Sequence, residues 1–237
     1  MRRPQHILVI DVGGTHVKLR VDSRGMVGEF DSGPKMTPAH MMRRIRALTR
    51  GVRYEAVSVG YPGLVVRGRI VAEPYNLGRG WVGYDFARSF GKPVQVINDA
   101  AMQAIGSYRG GRMLFLGLGT GLGAALIIDG VVEPTEIGHL PYKHGRTFED
   151  YVGERGRKRL GERKWCKAVA EVIADLRAAF QVDYVVLGGG NAMRLARLPH
   201  GVRRGDNRNA FVGGQRLWRG GADWPVPPAE RARRRPR

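Results

Sequence analysis

Two glycine turns in this chain have the composition that handles phosphate: "DVGGTHVKL", residues 11–19, and "GLGTGLGAALIIDG", residues 117–130. A glycine turn after a strand brings backbone N–H groups closer to an anion than any residue with a Cβ allows. The segment after the glycines decides the type of site. In a P-loop or a dinucleotide fold they open a helix, whereas "AALIIDG" is an apolar, partly β-branched run that reads as a second strand. The turn is therefore the corner of a hairpin, which excludes a Walker A or Rossmann loop.

The elements that position these turns form an internal repeat. Residues 7–31, "ILVIDVGGTHVKLRVDSRGMVGEFD", read as strand, glycine turn, strand, "DSRG" turn, strand. Residues 114–133, "LFLGLGTGLGAALIIDGVVE", read the same way, with "IDG" as the second turn. Two such β-meanders predict two similar lobes facing one another across a cleft that holds a phosphorylated ligand. "TPAHMMRRIRALTRG" is a helix with Thr37 as N-cap, Pro38 at the first helical position and Gly51 as a stop. "EAVSVGYPGLV" is a strand running into a proline-glycine turn, "YDFARSFG" a short amphipathic helix, and "KPVQVINDA" a buried strand ending on polar residues. "AMQAIGSYRGG" is the helix that crosses to the second lobe. In "KWCKAVAEVIADLRAAF", Trp165, Val169, Val172, Ile173, Leu176 and Phe180 recur at helical spacing. "DYVVLGGGNAM" reads as a strand, a triple-glycine turn and the start of a helix.

Composition bounds the remaining possibilities. A chain of 237 residues with 43% hydrophobic and 26% charged residues suits one or two soluble domains with a substantial core. No run of about 18 apolar residues is present, so no transmembrane helix is expected. "MRRPQ" passes straight into "HILVI" without a secretory signal, which makes the cytoplasm the expected compartment. The single cysteine, Cys166, excludes a disulfide framework and a cysteine cluster for zinc, and reads as a small core residue. His6, His16, His40 and His200 show no metal-ligand spacing. The formal net charge is +19, and the last eighteen residues hold only five arginines against two acids, so most of the excess lies on the body of the chain. A basic body attracts polyanions such as nucleic acid, polyphosphate or nucleotides; the alternative is a solvated face.

Six motifs in order, "IDVGGTHVKL", "GYPGLV", "INDA", "GLGTGLGAALIIDG", "EIGH" and "VVLGGGNA", resemble the ROK family of sugar kinases in the actin-like ATPase superfamily, and within it the polyphosphate/ATP glucokinases. The resemblance covers roughly residues 6–218. It implies an α/β, two-lobed actin-like ATPase (ribonuclease H-like) fold with duplicated β-meander lobes and an interlobe cleft. The N-terminal lobe is expected at 1–106, the C-terminal lobe at 107–219 and a disordered basic tail, rich in proline and arginine, at 220–237. The implied activity is phosphoryl transfer from ATP, inorganic polyphosphate or both to the 6-hydroxyl of glucose, with Mg2+. Another hexose, such as mannose, fructose or an N-acetyl sugar, is the alternative acceptor. Relatives are commonly dimers, so a homodimer is a possible assembly. The family also contains repressors with a DNA-binding helix-turn-helix before the kinase core. Here the first phosphate loop begins at Asp11, and neither a specific nucleic acid nor a membrane is expected as partner.

The resemblance assigns roles residue by residue, and the chemistry of phosphoryl transfer, which needs positioning and charge neutralisation, suits them. "DVGGT" and "GLGTG" look like two phosphate loops. In them the N–H groups of Gly13, Gly14, Gly119 and Gly121 and the hydroxyls of Thr15 and Thr120 cradle β- and γ-phosphate oxygens. Lys18 either adds a positive charge or faces solvent. Asp11 ends a buried strand, and its superfamily counterpart helps to hold hydrated magnesium; the other reading is an Asx-type bond to the glycine loop. Asp99 follows a strand and opens a helix, where a carboxylate is either an N-cap or, as the family implies, the base for a sugar hydroxyl. Asn98, Glu136 and His139 of "EIGH" and Glu149 of "GRTFEDYVG" match sugar-binding positions, and Asn76 of "EPYNLGRGW" either lies near the sugar, as in the family, or caps its loop. Gly188, Gly189, Gly190 and Asn191 resemble the adenosine-binding turn. Many members carry a cysteine-rich zinc loop directly after "ExGH". "LPYKHGRTF" has no cysteine, so structural zinc is not expected, packing must order the loop that holds Glu149, and His144 is expected to face solvent. Between residues 143 and 167 nine Lys/Arg stand against four acids, a strip that either tracks a polyphosphate chain or forms an exposed helix face. Sugar binding is expected to close the lobes about hinges near residues 100–110 and after the last strand.

Overall fold

The structure is a computed structural model describing residues 4–21 and 25–219. The basic tail and most of the "DSRG" turn lie outside the described residues. In chain order the first half contains β1 (Ile7–Val12), β2 (His16–Val21), β3 (Gly25–Asp31), α1 (Pro38–Leu48), β4 (Ala56–Tyr61), β5 (Val65–Val66), β6 (Arg69–Ile70), α2 (Phe86–Phe90), β7 (Val94–Asn98) and α3 (Asp99–Ser107). The second half contains β8 (Arg112–Leu118), β9 (Leu122–Ile128), β10 (Val131–Thr135), α4 (Phe148–Val152), α5 (Glu154–Leu160), α6 (Glu162–Phe180), β11 (Tyr184–Gly188), β12 (Val202–Arg204) and α7 (Asn209–Arg216).

Two five-stranded mixed sheets share one plan. The first runs β3-β2-β1-β4-β7 and the second β10-β9-β8-β11-β12. In each, an antiparallel meander supplies three strands, and two further strands pair parallel to its first strand and to each other. The "IDG" corner between β9 and β10 places Asp129 at φ 47° and Gly130 at φ 81°, the left-handed pair that a tight two-residue hairpin needs.

Strand periodicity determines what each sheet covers. Leu8, Ile10 and Val12 of β1 share a core with Met41, Met42 and Ile45 of α1 on one face. Ile7 and Val9 point the other way, toward Met102 of α3 and Ala210 and Phe211 of α7. The same alternation recurs in β8, where Leu114, Leu116 and Leu118 join Trp165, Val169 and Val172 of α6. Met113 and Phe115 meet Ala100, Ala101 and Ala104 of α3. Helices α3 and α7 are thus the filling between the sheets, and they cross at backbone distance. A Cβ on Gly106 would collide with the Asn209 carbonyl, and one on Gly213 with the Met102 carbonyl.

One expected element differs. The helix read after "LGGGN" is a short 3-10 helix, Gly190–Arg194, and Arg204 of β12 donates its guanidinium to the carbonyls of Ala192 and Leu195 at its end. No helix among the described residues is long and apolar enough to cross a membrane.

Candidate active site

The parity that sends Ile7 and Val9 toward α3 and α7 sends Asp11 the same way, at the open end of β1 between the sheets. Lys18 is its cross-strand partner, so the ammonium and the carboxylate share a face. Burial pushes the Asp11 carboxyl up to about 6, with the Lys18 charge opposing it.

Asp99 is the first residue of α3, immediately after β7. The N-cap of this helix is Asn98, whose Oδ1 accepts from Ala101 N at 3.0 Å while its Nδ2 donates to Gly63 O at 3.1 Å. With the cap supplied by its neighbour, the Asp99 carboxylate is held locally by backbone N–H groups, accepting from Ala100 N at 2.8 Å. Burial first, then the negative charges of Asp11 and Glu136, push Asp99 up to about 7. Glu136 in turn is raised by burial and by the charge of Glu149, against the pull of His139, whose Nδ1 is 3.8 Å from its Oε2. Four carboxylates from β1, α3, the Glu136–His139 turn and α4 therefore feel one another in sequence. Proteins keep such a concentration of negative charge where a proton or a cation is handled.

Around them lie the two glycine turns, in a form that corrects the expected donors. Gly13 N donates to His16 O at 2.9 Å and Gly119 N to Gly121 O at 3.1 Å, so these two amides close their own turns. Gly14, Thr15, Thr120 and Gly121 keep N–H groups without a protein acceptor among the described residues. Ser32 straps the first turn, with Oγ to Gly13 O at 2.6 Å and N to Thr15 O at 2.8 Å. The Thr15 hydroxyl is 3.0 Å from His16 Nδ1. In the second turn Leu122 N donates to Glu149 Oε2 at 3.1 Å, and the missing side chain of Gly121 leaves the space that this carboxylate fills.

The remaining expected residues divide between cleft and scaffold. Asn76 lies against Gly14, 3.5 Å from where a Cβ would be, on a segment that Glu73 ties down by accepting from the N–H groups of Gly80, Trp81 and Val82. Tyr75 beside it approaches the ring of His139, with centroids 6.5 Å apart, so the first lobe touches the "EIGH" turn. In the triple glycine, a Cβ on Gly188 would strike the Phe115 ring and one on Gly189, at φ 80°, the backbone of Leu118. Packing on β8 therefore accounts for both, and only Gly190 opens onto free space. Asn191 is buried, with its amide turned into the protein. The cysteine-free loop after "EIGH" is a tight hairpin with His144 and Gly145 at positive φ. Tyr142 holds it by packing on Phe148 and Tyr151, each with ring centroids 5.0 Å away, and Lys143 is 2.8 Å from Glu171; His144 is exposed.

Residues 7–159 match the ROK family. The chain belongs to that family. Among its relatives, the polyphosphate glucokinase of Mycobacterium tuberculosis is 28% identical over 212 residues, covering 78% of this chain and 78% of the relative. The crystal structure of the inorganic polyphosphate/ATP-glucomannokinase of Arthrobacter sp. strain KM superimposes with a TM-score of 0.75 at 24% identity, over 90% of this ROK chain and 97% of that one. The ROK glucokinase of Streptomyces griseus, solved with glucose and AMPPNP, gives 0.74 at 20% identity, over 91% and 100%. The fold is the two-sheet α/β fold of these ROK sugar kinases.

Proposed function

We propose that this ROK-family sugar kinase transfers the terminal phosphoryl group of ATP or inorganic polyphosphate to the 6-hydroxyl of glucose. The observation that carries the reading is Asp99, a carboxylate held near neutral pKa in a cleft between two hairpins with unused N–H groups. A base with that pKa is matched to accepting a hydroxyl proton at physiological pH. Asp99 takes the proton as the sugar oxygen attacks phosphorus, and the bond from phosphorus to the bridging oxygen of the donor breaks. The N–H groups of Gly14, Thr15, Thr120 and Gly121, with Lys18, neutralise the charge that spreads over the phosphoryl oxygens. Glu136, His139 and Glu149 accept and orient the other sugar hydroxyls, and Asn76 closes the first-lobe side. Asn98 sets the direction of Asp99 through its cap.

The donor set suits Mg2+, because the paired negative charges of Asp11 and Asp99 stand together with one ammonium to offset them, and a hydrated Mg2+ ion needs only one or two carboxylates. Asp11 would hold the ion, which supplies charge neutralisation of the donor phosphates. A coupled assay of purified protein with glucose and Mg2+ tests the reading, comparing ATP with polyphosphate in wild type and Asp99→Asn. Glucose 6-phosphate formation that the substitution abolishes supports it; no product with either donor over mannose, fructose and N-acetyl sugars as well as glucose overturns it. A glucomannokinase among the structural relatives makes mannose the second acceptor to try.

A further inference from the structure

The second phosphate turn is gripped from behind by a polar network that lies outside the sugar and phosphate positions above. Glu154 N donates to Gly119 O at 3.0 Å and to Thr120 O at 3.3 Å. The Glu154 carboxylate accepts from Asn191 Nδ2 at 3.0 Å, and the same amide donates to Gly119 O at 3.2 Å. Arg157 fixes the carboxylate through two bonds, Nε to Oε2 at 3.0 Å and Nη2 to Oε1 at 2.8 Å, and reaches Glu162 with Nη1 at 3.1 Å. These bonds, led by Arg157 and then Asn191, hold the Glu154 carboxyl down at about 2.

Peptide planarity gives this grip a direction. In a trans peptide the C=O of one residue and the N–H of the next point opposite ways. Drawing Gly119 O toward α5 turns Thr120 N–H away from it, and drawing Thr120 O the same way turns Gly121 N–H outward. Those are the two N–H groups of this turn that have no protein acceptor among the described residues. We propose that Glu154, anchored by Asn191 and Arg157, is a positioning residue that aims the Thr120 and Gly121 N–H groups at the donor phosphate. The proposal rests on the reading of this turn as a donor site, and it moves Asn191 from nucleotide contact to support of the turn.

The test compares Glu154→Ala, Glu154→Gln and Asn191→Ala with wild type, using Mg·ATP and Mg·polyphosphate as separate donors. Glu154→Ala is expected to raise the donor KM about tenfold, the loss of one well-aimed interaction, and to leave the glucose KM within about twofold. Glu154→Gln keeps an acceptor for Asn191 and recovers most of that loss, and Glu154→Ala combined with Asn191→Ala costs no more than the worse single change, because the Glu154 carboxylate acts on the turn through the Asn191 amide. Thermal unfolding checks each variant, with exposed Arg163→Ala as the control. If Glu154→Ala does not fold, Asn191→Ala, which leaves the Glu154–Arg157 pair in place, carries the same test. An unchanged donor KM in a folded variant, parallel losses for sugar and donor, or a Gln variant no better than Ala overturns the proposal. Equilibrium binding of ADP and of polyphosphate separates it from the kinase reading. A wild type that binds either but turns over no hexose overturns the reading alone, and the variants then decide the proposal by weaker or equal binding. A wild type that binds neither overturns both.

Discussion

Asp99→Asn removes the carboxylate proposed to accept the proton, and the surroundings of that carboxylate add a second effect, on stability. Burial and the charges of Asp11 and Glu136 push Asp99 up to about 7, against about 3.9 in an unfolded chain. Between those values the folded protein keeps a proton that the unfolded chain has released, so stability falls as pH rises from about 4 to about 7. At 1.36 kcal/mol per pH unit the ceiling of this penalty is about 4 kcal/mol. Asp99 as a residue is only half-buried, and relaxation around the charge lowers the penalty further, so ~1–2 kcal/mol is expected, or roughly 2–8 °C in Tm for a chain of this size. Asparagine has the same shape and no charge to desolvate. The variant is therefore expected to melt higher than wild type at pH 8 and at the same temperature at pH 4, while its turnover falls by roughly 10²–10⁴. Calorimetry in EDTA, which keeps divalent cations from offsetting the charge, reads the first effect and the coupled assay the second. A variant less stable than wild type at pH 8, or equally stabilised at both pH values, refutes the argument that Asp99 sits in a charge-repelling pocket.

The same electrostatics predict that kcat/KM for glucose drops about tenfold per pH unit below about 7, as Asp99 becomes protonated. Asp11→Asn should move that acid limb to lower pH in the residual activity, because the Asp11 charge helps to raise Asp99; a limb that stays in place or moves upward contradicts the coupling. Ser32→Ala leaves Gly13 O without its strap and is expected to cost about 1 kcal/mol in denaturant titration, with the donor KM rising and the glucose KM unchanged. Gly106→Ala drives a Cβ into the backbone of Asn209 and should destabilise by about 3 kcal/mol, whereas at Gly60 the added Cβ meets the movable end of Met102 and costs less than half as much; equal melting of the two variants rules out a rigid crossing of α3 and α7.

What the sequence reveals is what local rules determine. The two meanders, the "IDG" corner, the Thr37 cap and the strand-end placement of Asp11 and Asp99 depend on periodicity and turn chemistry within a few residues. Ser32 and Glu154 are invisible to such rules. Ser32 acts on Gly13 across nineteen positions, and Glu154 meets Asn191 thirty-seven positions away; neither belongs to a patterned motif. Gly13 and Gly119 show a subtler limit, since a glycine-rich string names the turn without saying which of its N–H groups the turn consumes. Gly188 and Gly189 read as ligand-facing glycines, yet Phe115 and Leu118 of the neighbouring strand already require them to lack side chains.

Helix α7 has a consequence for how the chain is made. It is the last described helix, yet it completes the first lobe: Ser58 Oγ donates to Gly214 O at 2.6 Å, Trp218 Nε1 donates to Ser58 Oγ at 2.9 Å, and Gln95 Nε2 reaches Leu217 O at 3.3 Å. During synthesis the inner faces of β1 and β4 emerge long before the residues that cover them. Ile7 and Val9 then wait, with one side wet, until Ala210 and Phe211 have been made, and Ser58 waits for Gly214. A ribosome that stops before Asn209 leaves a chain with all twelve of the described strands and an open seam along its first sheet. Helix α7 thus serves as a latch for β1 and β4, and a protease that removes it would act on the first-made half of the fold.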